Sequence, residues 1–409
     1  MTNTNHPMNS LLQTQDVGST LWWEHIQKIG TPLLQPNVSD QDCLATFLWK
    51  DSAGPNSNIE AVYIDLYSKT PHPTKQLTCF SHIKGTDVWY WETSLPKDWL
   101  GSYFLMPASK EQTPPDNKDP QAIRQWWIKL MGINAQADAL NPIPPHSNGN
   151  NISLSAISLK NGRQDNTQRN AKEIQQAPTH TSLWHSEILN NSRRIWLHKT
   201  GTNTKNNLPV VLLFDGQYWA TQMPICSDLN TLTATGELPP ALYVFIDSIN
   251  SSSRYQELGC NTDFWEAIEQ ELLPWVSTQF LITDDPHKTI VTGQSLGGLC
   301  AVYGALKRPH RFACAISQSG SFWWPNIDST PGQGELIQEL IAQGKCSTPI
   351  RFVIAAGCYE QDMLEVSKVM SNTLKNTGHH VRFEEFRGGH DWLCWRQSLL
   401  QSLTFAFST

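Results

Sequence analysis

Gly293-Gln294-Ser295-Leu296-Gly297 is the stretch that decides the fold, because it forms a G-x-S-x-G pattern. The residues before it, 288–292, are rich in β-branched side chains, and the residues after it, 298–307, have the composition of a helix. A serine at a sharp turn between a strand and a helix holds its hydroxyl above the sheet, where a carbonyl carbon can reach it. The following helix points its first amides at the place where negative charge develops. The stretch therefore predicts Ser295 as a nucleophile.

A serine hydroxyl needs a base to remove its proton, and His390 is the best candidate. It lies in Gly388-Gly389-His390-Asp391, directly after the last strand candidate, residues 381–386. In α/β-hydrolases the order along the chain is serine, acid, histidine, and His390 is at the right end of that order. His379 and His380 precede the last strand, which puts them at the wrong edge of a parallel sheet.

The acid should lie in the loop after the preceding strand candidate, residues 352–356. Glu360 and Asp362 both follow that strand, and we favour Glu360. The acid would hold the imidazole in one tautomer and stabilise the imidazolium. The other carboxylate is then explained by a helix N-terminus, where acidic residues are common without a catalytic role. Asp391, or no acid at all, remains a further alternative.

Two backbone N–H groups are expected to form an oxyanion hole. One belongs to Leu296, the residue after the nucleophile. The other should come from residues 215–219, which follow the strand candidate 210–214. Gly216 permits the close approach that such a loop needs, so we predict Gly216 or Gln217 as the donor. A simple turn is the alternative.

The second half of the chain alternates continuous apolar runs with longer amphipathic segments from about residue 181. This alternation predicts a doubly wound, mostly parallel α/β sheet. We therefore predict an α/β-hydrolase catalytic domain at residues 180–409. The strand candidates are 195–197, 210–214, 241–246, 289–291, 313–316 and 352–356, and the helix candidates are 263–276, 298–307, 361–376 and 392–407.

The first half contains short β-branched or aromatic runs that Gly and Pro interrupt at close spacing. Such runs suggest an antiparallel β-sandwich of immunoglobulin type, which we place at residues 1–150 with a linker at 141–150. Residues 152–159 alternate strictly and fit a strand of either domain, whereas residues 161–178 are polar and lack periodicity. The strand candidates are 44–50, 61–66, 86–92 and 101–106, and a helix is expected near 121–131.

Composition excludes several classes of function. Hydrophobic residues make up 39% and charged residues 16% of the 409 residues, as in globular proteins. No window approaches the ~18 consecutive apolar residues of a membrane span, and the N-terminus lacks the pattern of a secretory signal. A net charge of −7 without a basic stripe argues against nucleic acid as a partner. Nine scattered cysteines without a C-x-x-C pair favour reduced thiols in a cytoplasm over disulfides or a zinc site.

Many esterases share G-x-S-x-G, but five segments of the catalytic half, taken in order, are far more specific. They are LFDGQYW (213–219), IDSIN (246–250) with Arg254 and ELGCN (257–261), GQSLGG (293–298), SQSGSFWW (317–324) and GGHDWLCWR (388–396). Together they resemble the enterochelin (iron–enterobactin) esterases. The similarity extends more weakly to GTDVW (85–89) and WLGSY (99–103) in the N-terminal half.

The resemblance implies a cytoplasmic serine esterase that opens the tri-serine lactone ring of a ferric catecholate siderophore after import. It implies Ser295 as the nucleophile, His390 as the base and Glu360 as the acid. Gln361 stands where the family's acid loop usually has proline, and Leu296 stands where phenylalanine is frequent. No cofactor and no protein-bound metal are implied, because the iron arrives with the substrate.

A ferric tricatecholate is bulky, aromatic and trianionic. Trp219, Trp323 and Trp324 would offer aromatic surface to the catechol rings, although each is also explained by core packing. Arg254 would supply positive charge, with a surface ion pair as the alternative, and Asn261 is a further candidate contact. The small-molecule siderophore is thus the expected partner, and a homodimer is possible.

Two other hypotheses remain open. A phenolic-acid (feruloyl-type) carbohydrate esterase would bind carbohydrate through the N-terminal sandwich, where Trp89 and Trp91 lie on one strand face. The missing secretion signal counts against it, and core packing explains those two residues more simply. A non-catalytic binder on a hydrolase scaffold would not need the serine and histidine that this sequence retains.

Overall fold

The computed structural model describes residues 9–36, 41–116, 119–147, 152–164, 177–202, 207–327 and 330–408. The chain divides into two compact units, Met1–Glu173 and Ile174–Thr409. We propose that the first unit is the β-sandwich, which the sequence predicts at residues 1–150. The second unit would be the catalytic domain, which the sequence predicts at residues 180–409. The predicted linker and the polar stretch at 161–178 lie partly outside the described residues.

Strands of the first unit form two antiparallel sheets, in the orders β1-β2-β5-β4 and β3-β6-β8-β7, with β9 paired to β8. Their bounds are β1 (Leu33–Pro36), β2 (Asp42–Lys50), β3 (Ile59–Leu66), β4 (Ser81–His82), β5 (Val88–Pro96), β6 (Leu100–Ser109), β7 (His146–Ser147), β8 (Ser153–Lys160) and β9 (Arg163–Gln164). The ring of Phe47 on β2 contacts that of Tyr103 on β6, with centroids 5.0 Å apart. The N-terminal unit is therefore β-rich, as predicted, and β8 assigns residues 152–159 to it.

Among the described residues of this unit, helices α1 (Thr20–Ile29) and α2 (Pro120–Asn134) cover the β structure. Ser19 begins α1 by accepting a hydrogen bond from the Trp22 N–H, and Asp119 does the same for Ala122 at the start of α2. Trp22 then packs in an apolar cluster with strand residues of the first sheet. Each helix thus buries one face against a sheet.

Eight strands of the described residues form one sheet in the second unit, in the order β10-β11-β13-β12-β14-β15-β16-β17. Their bounds are β10 (His180–Ser186), β11 (Asn191–Lys199), β12 (Val210–Leu213), β13 (Leu242–Ile246), β14 (Thr289–Gln294), β15 (Cys314–Gln318), β16 (Arg351–Gly357) and β17 (His380–Phe386). The pairs from β13 to β17 are parallel, and β10 and β11 are antiparallel. This confirms the predicted mostly parallel α/β fold. The prediction missed β10, since its residues alternate in burial at an edge and lack a continuous apolar run.

Helices cover both faces of this sheet. On one face, residues of α4, α5, α6, α7, α8 and α9 pack together in one apolar cluster, and on the other face α3 and α10 do so. The helices are α3 (Cys226–Ala234), α4 (Ser251–Leu258), α5 (Thr262–Ala267), α6 (Leu273–Gln279), α7 (Leu296–Lys307), α8 (Glu335–Gln343), α9 (Asp362–Asn376) and α10 (Trp392–Ser408). None of the helices in the described ranges combines the length and apolarity needed to span a bilayer.

Parallel strands end at a common sheet edge, where open α/β folds bind their ligands. The loops that follow β12, β14, β15, β16 and β17 leave the sheet at this edge. These loops contain the predicted oxyanion loop, nucleophile, acid and histidine.

Candidate active site

Ser295 lies at the turn between β14 and α7. Its backbone has φ 56° and ψ −119°, a strained conformation that costs a non-glycine residue about 1–3 kcal/mol. The Ser295 N–H donates to the carbonyl of Gln318 on β15 at 3.0 Å. A Cβ at Gly293 would lie 2.4 Å from the backbone of Gly297, so only glycine fits there. The structure therefore has the sharp turn that the G-x-S-x-G pattern predicts.

A second hydroxyl lies beside this serine. Ser295 Oγ is 3.2 Å from Ser321 Oγ, and the Ser321 N–H donates to the Ser295 carbonyl at 3.0 Å. Ser321 is fully buried in the loop after β15. This contact connects the nucleophile turn to the next loop along the sheet edge.

His390 contacts Glu360 directly. Its Nδ1 lies 2.8 Å from Glu360 Oε2, and the glutamate side chain is 1% exposed while the histidine side chain is 40% exposed. Because a carboxylate only accepts, Nδ1 carries the proton and Nε2 is the accepting nitrogen. Asp362, the alternative acid, is exposed at the start of α9. The geometry therefore favours Glu360 over Asp362.

Two further donors hold Glu360 in place. Its Oε1 accepts from the Gly357 N–H at 2.8 Å and from Ser319 Oγ at 2.5 Å. Trp395 Nε1 donates to the same Ser319 oxygen at 2.9 Å, so the Ser319 hydroxyl proton points at the carboxylate. Sequence reasoning assigned no role to Ser319, although it lies in the SQSGSFWW segment.

The expected oxyanion loop follows β12. Leu296 is the first residue of α7, so its N–H is one of the amides without a partner in the helix. Gly216 lies against the end of β13, because a Cβ there would be 2.3 Å from the Ile246 nitrogen. Gln217 is fixed by two hydrogen bonds between its side-chain amide and Ser248, of 2.8 and 3.2 Å. The loop is thus tightly held, and its role as oxyanion hole remains a prediction.

Arg254 pairs with a buried carboxylate. Its Nε and Nη2 donate to Asp215 Oδ1 and Oδ2 at 2.7 and 2.8 Å, and a quarter of its side chain is exposed. Arg254 thus forms the ion pair that the sequence left open as the alternative explanation, and its contact with an anionic ligand stays a prediction. Asn261 caps α5 by accepting from the Phe264 N–H at 3.0 Å, so its side chain has a structural role.

The predicted aromatic contacts differ in exposure. Trp219 is fully buried, and its Nε1 donates to Gln294 Oε1 at 3.2 Å. The structure therefore favours the core packing that the sequence left open for Trp219 over contact with a catechol. Trp323 and Trp324 are half-buried beside the helices on one face of the sheet. Tyr255, which is 51% exposed, contacts Trp324 at a centroid distance of 4.6 Å.

Sequence reasoning missed a second aromatic pair on the other face of the sheet. Tyr218 stacks on Trp392, with ring centroids 3.8 Å apart and planes at 10°. Both rings are half-buried, and Trp392 packs against the apolar cluster of α3 and α10. Burial and the nearby Asp215 raise the pKa of the Tyr218 hydroxyl, so it remains protonated at neutral pH. Half-buried aromatic rings therefore lie on both sides of the sheet edge.

These residues are of the types that acyl transfer requires. A strained serine at one strand end and a histidine oriented by a buried glutamate at the same edge are the parts that nucleophilic catalysis requires. Within the described ranges, no three His, Cys, Asp or Glu side chains come together as a metal site.

Known sequence families match both units. The family described as "Putative esterase" matches residues 186–406. The family described as the N-terminal part of enterochelin esterase matches residues 44–182. The second match extends the weak N-terminal resemblance over most of the first unit.

Full-length relatives are also similar to this chain. The iron(III) enterobactin esterase of Dickeya dadantii is 36% identical over 96% of this chain and 93% of its own length, and that of Escherichia coli K12 is 36% identical over 95% and 96%. The crystal structure of the enterobactin esterase from Shigella flexneri in the presence of enterobactin matches with a TM-score of 0.82, 36% identity and coverage of 96% and 99%. The ferric enterobactin esterase from Salmonella typhimurium matches with a TM-score of 0.84, 35% identity and coverage of 95% and 99%.

Proposed function

The chain belongs to the iron(III) enterobactin esterase family and is a carboxylic ester hydrolase, and from that membership we propose that it cleaves the tri-serine lactone esters of a ferric catecholate siderophore of the enterobactin type. The contact between His390 and Glu360 carries the proposal for the mechanism. It lies at the sheet edge where Ser295 occupies its strained turn. Such a pair needs only a serine hydroxyl and a bound ester to begin acyl transfer.

In the first step, Ser295 Oγ attacks an ester carbonyl of the lactone ring. His390 Nε2 takes the hydroxyl proton, and the buried Glu360 carboxylate stabilises the imidazolium that forms. His390 then returns the proton to the leaving serine hydroxyl of the siderophore. Water repeats the sequence on the acyl-enzyme and regenerates Ser295.

The tetrahedral intermediate carries a negative oxygen that needs donors. We assign these donors to the Leu296 N–H at the start of α7 and to Gly216 or Gln217 in the loop after β12. One donor of this kind contributes ~3 kcal/mol to transition-state stabilisation. The tight packing of Gly216 on β13 supports this assignment, because an oxyanion donor must be fixed before the charge develops.

The aromatic side chains near the edge fit the chemistry of catechol rings. Trp323, Trp324 and Tyr255 lie on one side, and the stacked Tyr218 and Trp392 lie on the other. Offset stacking or edge contacts with an aromatic ligand contribute about 0.5–1.5 kcal/mol per pair beyond the buried area. We propose that separate aromatic arms of one ligand contact the two sides.

Cleavage of the ring would lower the affinity of the siderophore for iron. Three catechols on one scaffold bind a metal with a high effective concentration for the second and third arms. Opening the ring lengthens the tether, and further cuts remove it. We place this reaction in the cytoplasm, where thiols stay reduced, because the sequence has nine scattered cysteines without a C-x-x-C pair.

Turnover of the purified protein tests the proposal. The protein is incubated with the ferric and the iron-free trilactone, and products are followed by chromatography and mass spectrometry. We expect ring-opened trimer and then shorter catechoylserine products, with Ser295→Ala as the inactive control that still binds the ligand. Hydrolysis of feruloyl-sugar esters with none of the trilactone would overturn the proposal and favour a carbohydrate esterase. Unchanged turnover in Ser295→Ala would overturn the assigned nucleophile.

A further inference from the structure

Arg254 joins the two halves of the proposed oxyanion hole. Its bidentate contact with Asp215 holds the loop after β12. Its Nη2 also donates to the carbonyl of Gln294 at 3.3 Å, and Gln294 is the residue directly before Ser295. One guanidinium therefore binds both the loop that supplies one amide and the turn that supplies the other.

Asp215 needs this partner to stay where it is. It is 1% exposed, and its backbone has φ 53°, in the left-handed region that non-glycine residues avoid. Its Oδ1 also accepts from Ser248 Oγ at 2.7 Å, and Ser248 in turn holds the Gln217 side chain. A buried carboxylate without a compensating charge is strongly unfavourable. Loss of Arg254 would therefore release the strained loop.

The loop has no room to shift without consequence. Gly216 lies directly against the backbone of Ile246. Because Asp215, Gly216 and Gln217 are consecutive, a movement of Asp215 also moves the Gly216 and Gln217 amides. A misplacement of about 1 Å at a catalytic group can cost 10²-fold in rate. The position of these amides thus depends on the Arg254–Asp215 contact.

The charge of Arg254 is already used within the protein. Burial would lower the pKa of its guanidinium, but Asp215 outweighs that effect and raises the pKa. The pair carries no net charge, so its attraction for a trianionic ligand is weaker than that of an unpaired guanidinium.

We propose that Arg254 is a positioning residue, which sets the oxyanion hole through Asp215 and Gln294 rather than reading the charge of the ligand. The inference rests on the proposed function in one respect, since it assumes acyl transfer at Ser295. It assigns to Arg254 an effect on kcat that is the same for charged and uncharged esters.

Steady-state kinetics on the ferric and the iron-free trilactone separate the two roles, because only the ferric form is trianionic. We expect Arg254→Met to lower kcat on both by the same factor, about 10²-fold as for loss of one oxyanion donor, with little change in KM. Arg254→Lys should lie between, because lysine keeps the charge but lacks the bidentate fork. Inhibition of p-nitrophenyl acetate hydrolysis by an arylboronic acid, which forms a tetrahedral adduct on serine, should weaken in parallel.

Arg194→Met is the matched control. Arg194 pairs with Asp247 at 3.1 Å through a mostly exposed side chain, so this change removes the same charge near the edge without touching the loop. If Arg254→Met fails to fold, Arg254→Met/Asp215→Asn removes both buried charges and should show the same loss of kcat.

A rise in KM confined to the ferric substrate, with unchanged kcat on the iron-free form, would overturn the inference. If the wild-type protein cleaves neither trilactone, the proposed function fails. The inference is then decided on p-nitrophenyl acetate alone, where an unchanged kcat in Arg254→Met would overturn it.

Discussion

Replacing Glu360 by glutamine exchanges one carboxylate oxygen for an NH₂ group and leaves the shape of the side chain intact. Glu360 accepts three hydrogen bonds: from Gly357 and Ser319 on Oε1, and from His390 on Oε2. A glutamine cannot satisfy all three donors in either orientation. The structure therefore predicts a large loss of activity from a change that adds no bulk.

The two orientations fail for different reasons. With its NH₂ toward His390, the amide would require Nδ1 as an acceptor, which moves the ring proton to Nε2 and removes the base. With its NH₂ toward the loop, it would face the Gly357 N–H, a donor at 2.8 Å that cannot turn away. A wrong tautomer in a serine–histidine–acid site costs about 10⁴ in kcat, or ~5 kcal/mol.

The assay is kcat on the iron-free trilactone at pH 7, with Asp362→Asn as the matched control. Asp362 is exposed at the start of α9, so its neutralisation should change kcat less than about twofold, as for a surface helix-terminal charge. Thermal unfolding of both variants shows whether the fold is retained. A larger loss in Asp362→Asn than in Glu360→Gln would refute the assignment of the acid.

Three further changes have defined outcomes. Ser319→Ala removes one donor to the Glu360 carboxylate, a bond worth about 1.5–3 kcal/mol, so kcat should fall by about 10- to 10²-fold and KM should stay constant in the same assay. Gly216→Ala places a Cβ 2.3 Å from the Ile246 backbone; burst kinetics with an aryl ester should show acylation slowed by about 10²–10³. Arg193→Met leaves Glu257 buried without its bidentate partner, which should lower the free energy of unfolding in urea by about 3–5 kcal/mol, and an unchanged midpoint would contradict this.

Local patterns were enough to predict which candidate residues lie at one edge of the sheet. The G-x-S-x-G turn needs only adjacent residues, and the positions of Glu360 and His390 follow from which strands precede them. In a parallel sheet every such loop emerges at the same edge. The structure accordingly brings His390 and Glu360 into contact.

Contacts between distant segments lay beyond the sequence patterns. Ser319 meets Glu360 across 41 residues of sequence, and Tyr218 stacks on Trp392 from the far end of the chain. The neighbours Tyr218 and Trp219 lie in one π-helical turn that leaves the first half-buried and buries the second. Composition alone does not indicate which of two adjacent aromatic residues faces the ligand.

We propose that Ser295 carries the siderophore acyl group during turnover. Excess protein is mixed with the iron-free trilactone and quenched in acid within one turnover, and the peptide that contains Ser295 is analysed by mass spectrometry. We expect a catechoylseryl adduct on Ser295, no adduct in Ser295→Ala, and loss of turnover in that variant by about 10⁶. Product formation by Ser295→Ala at the wild-type rate would contradict it.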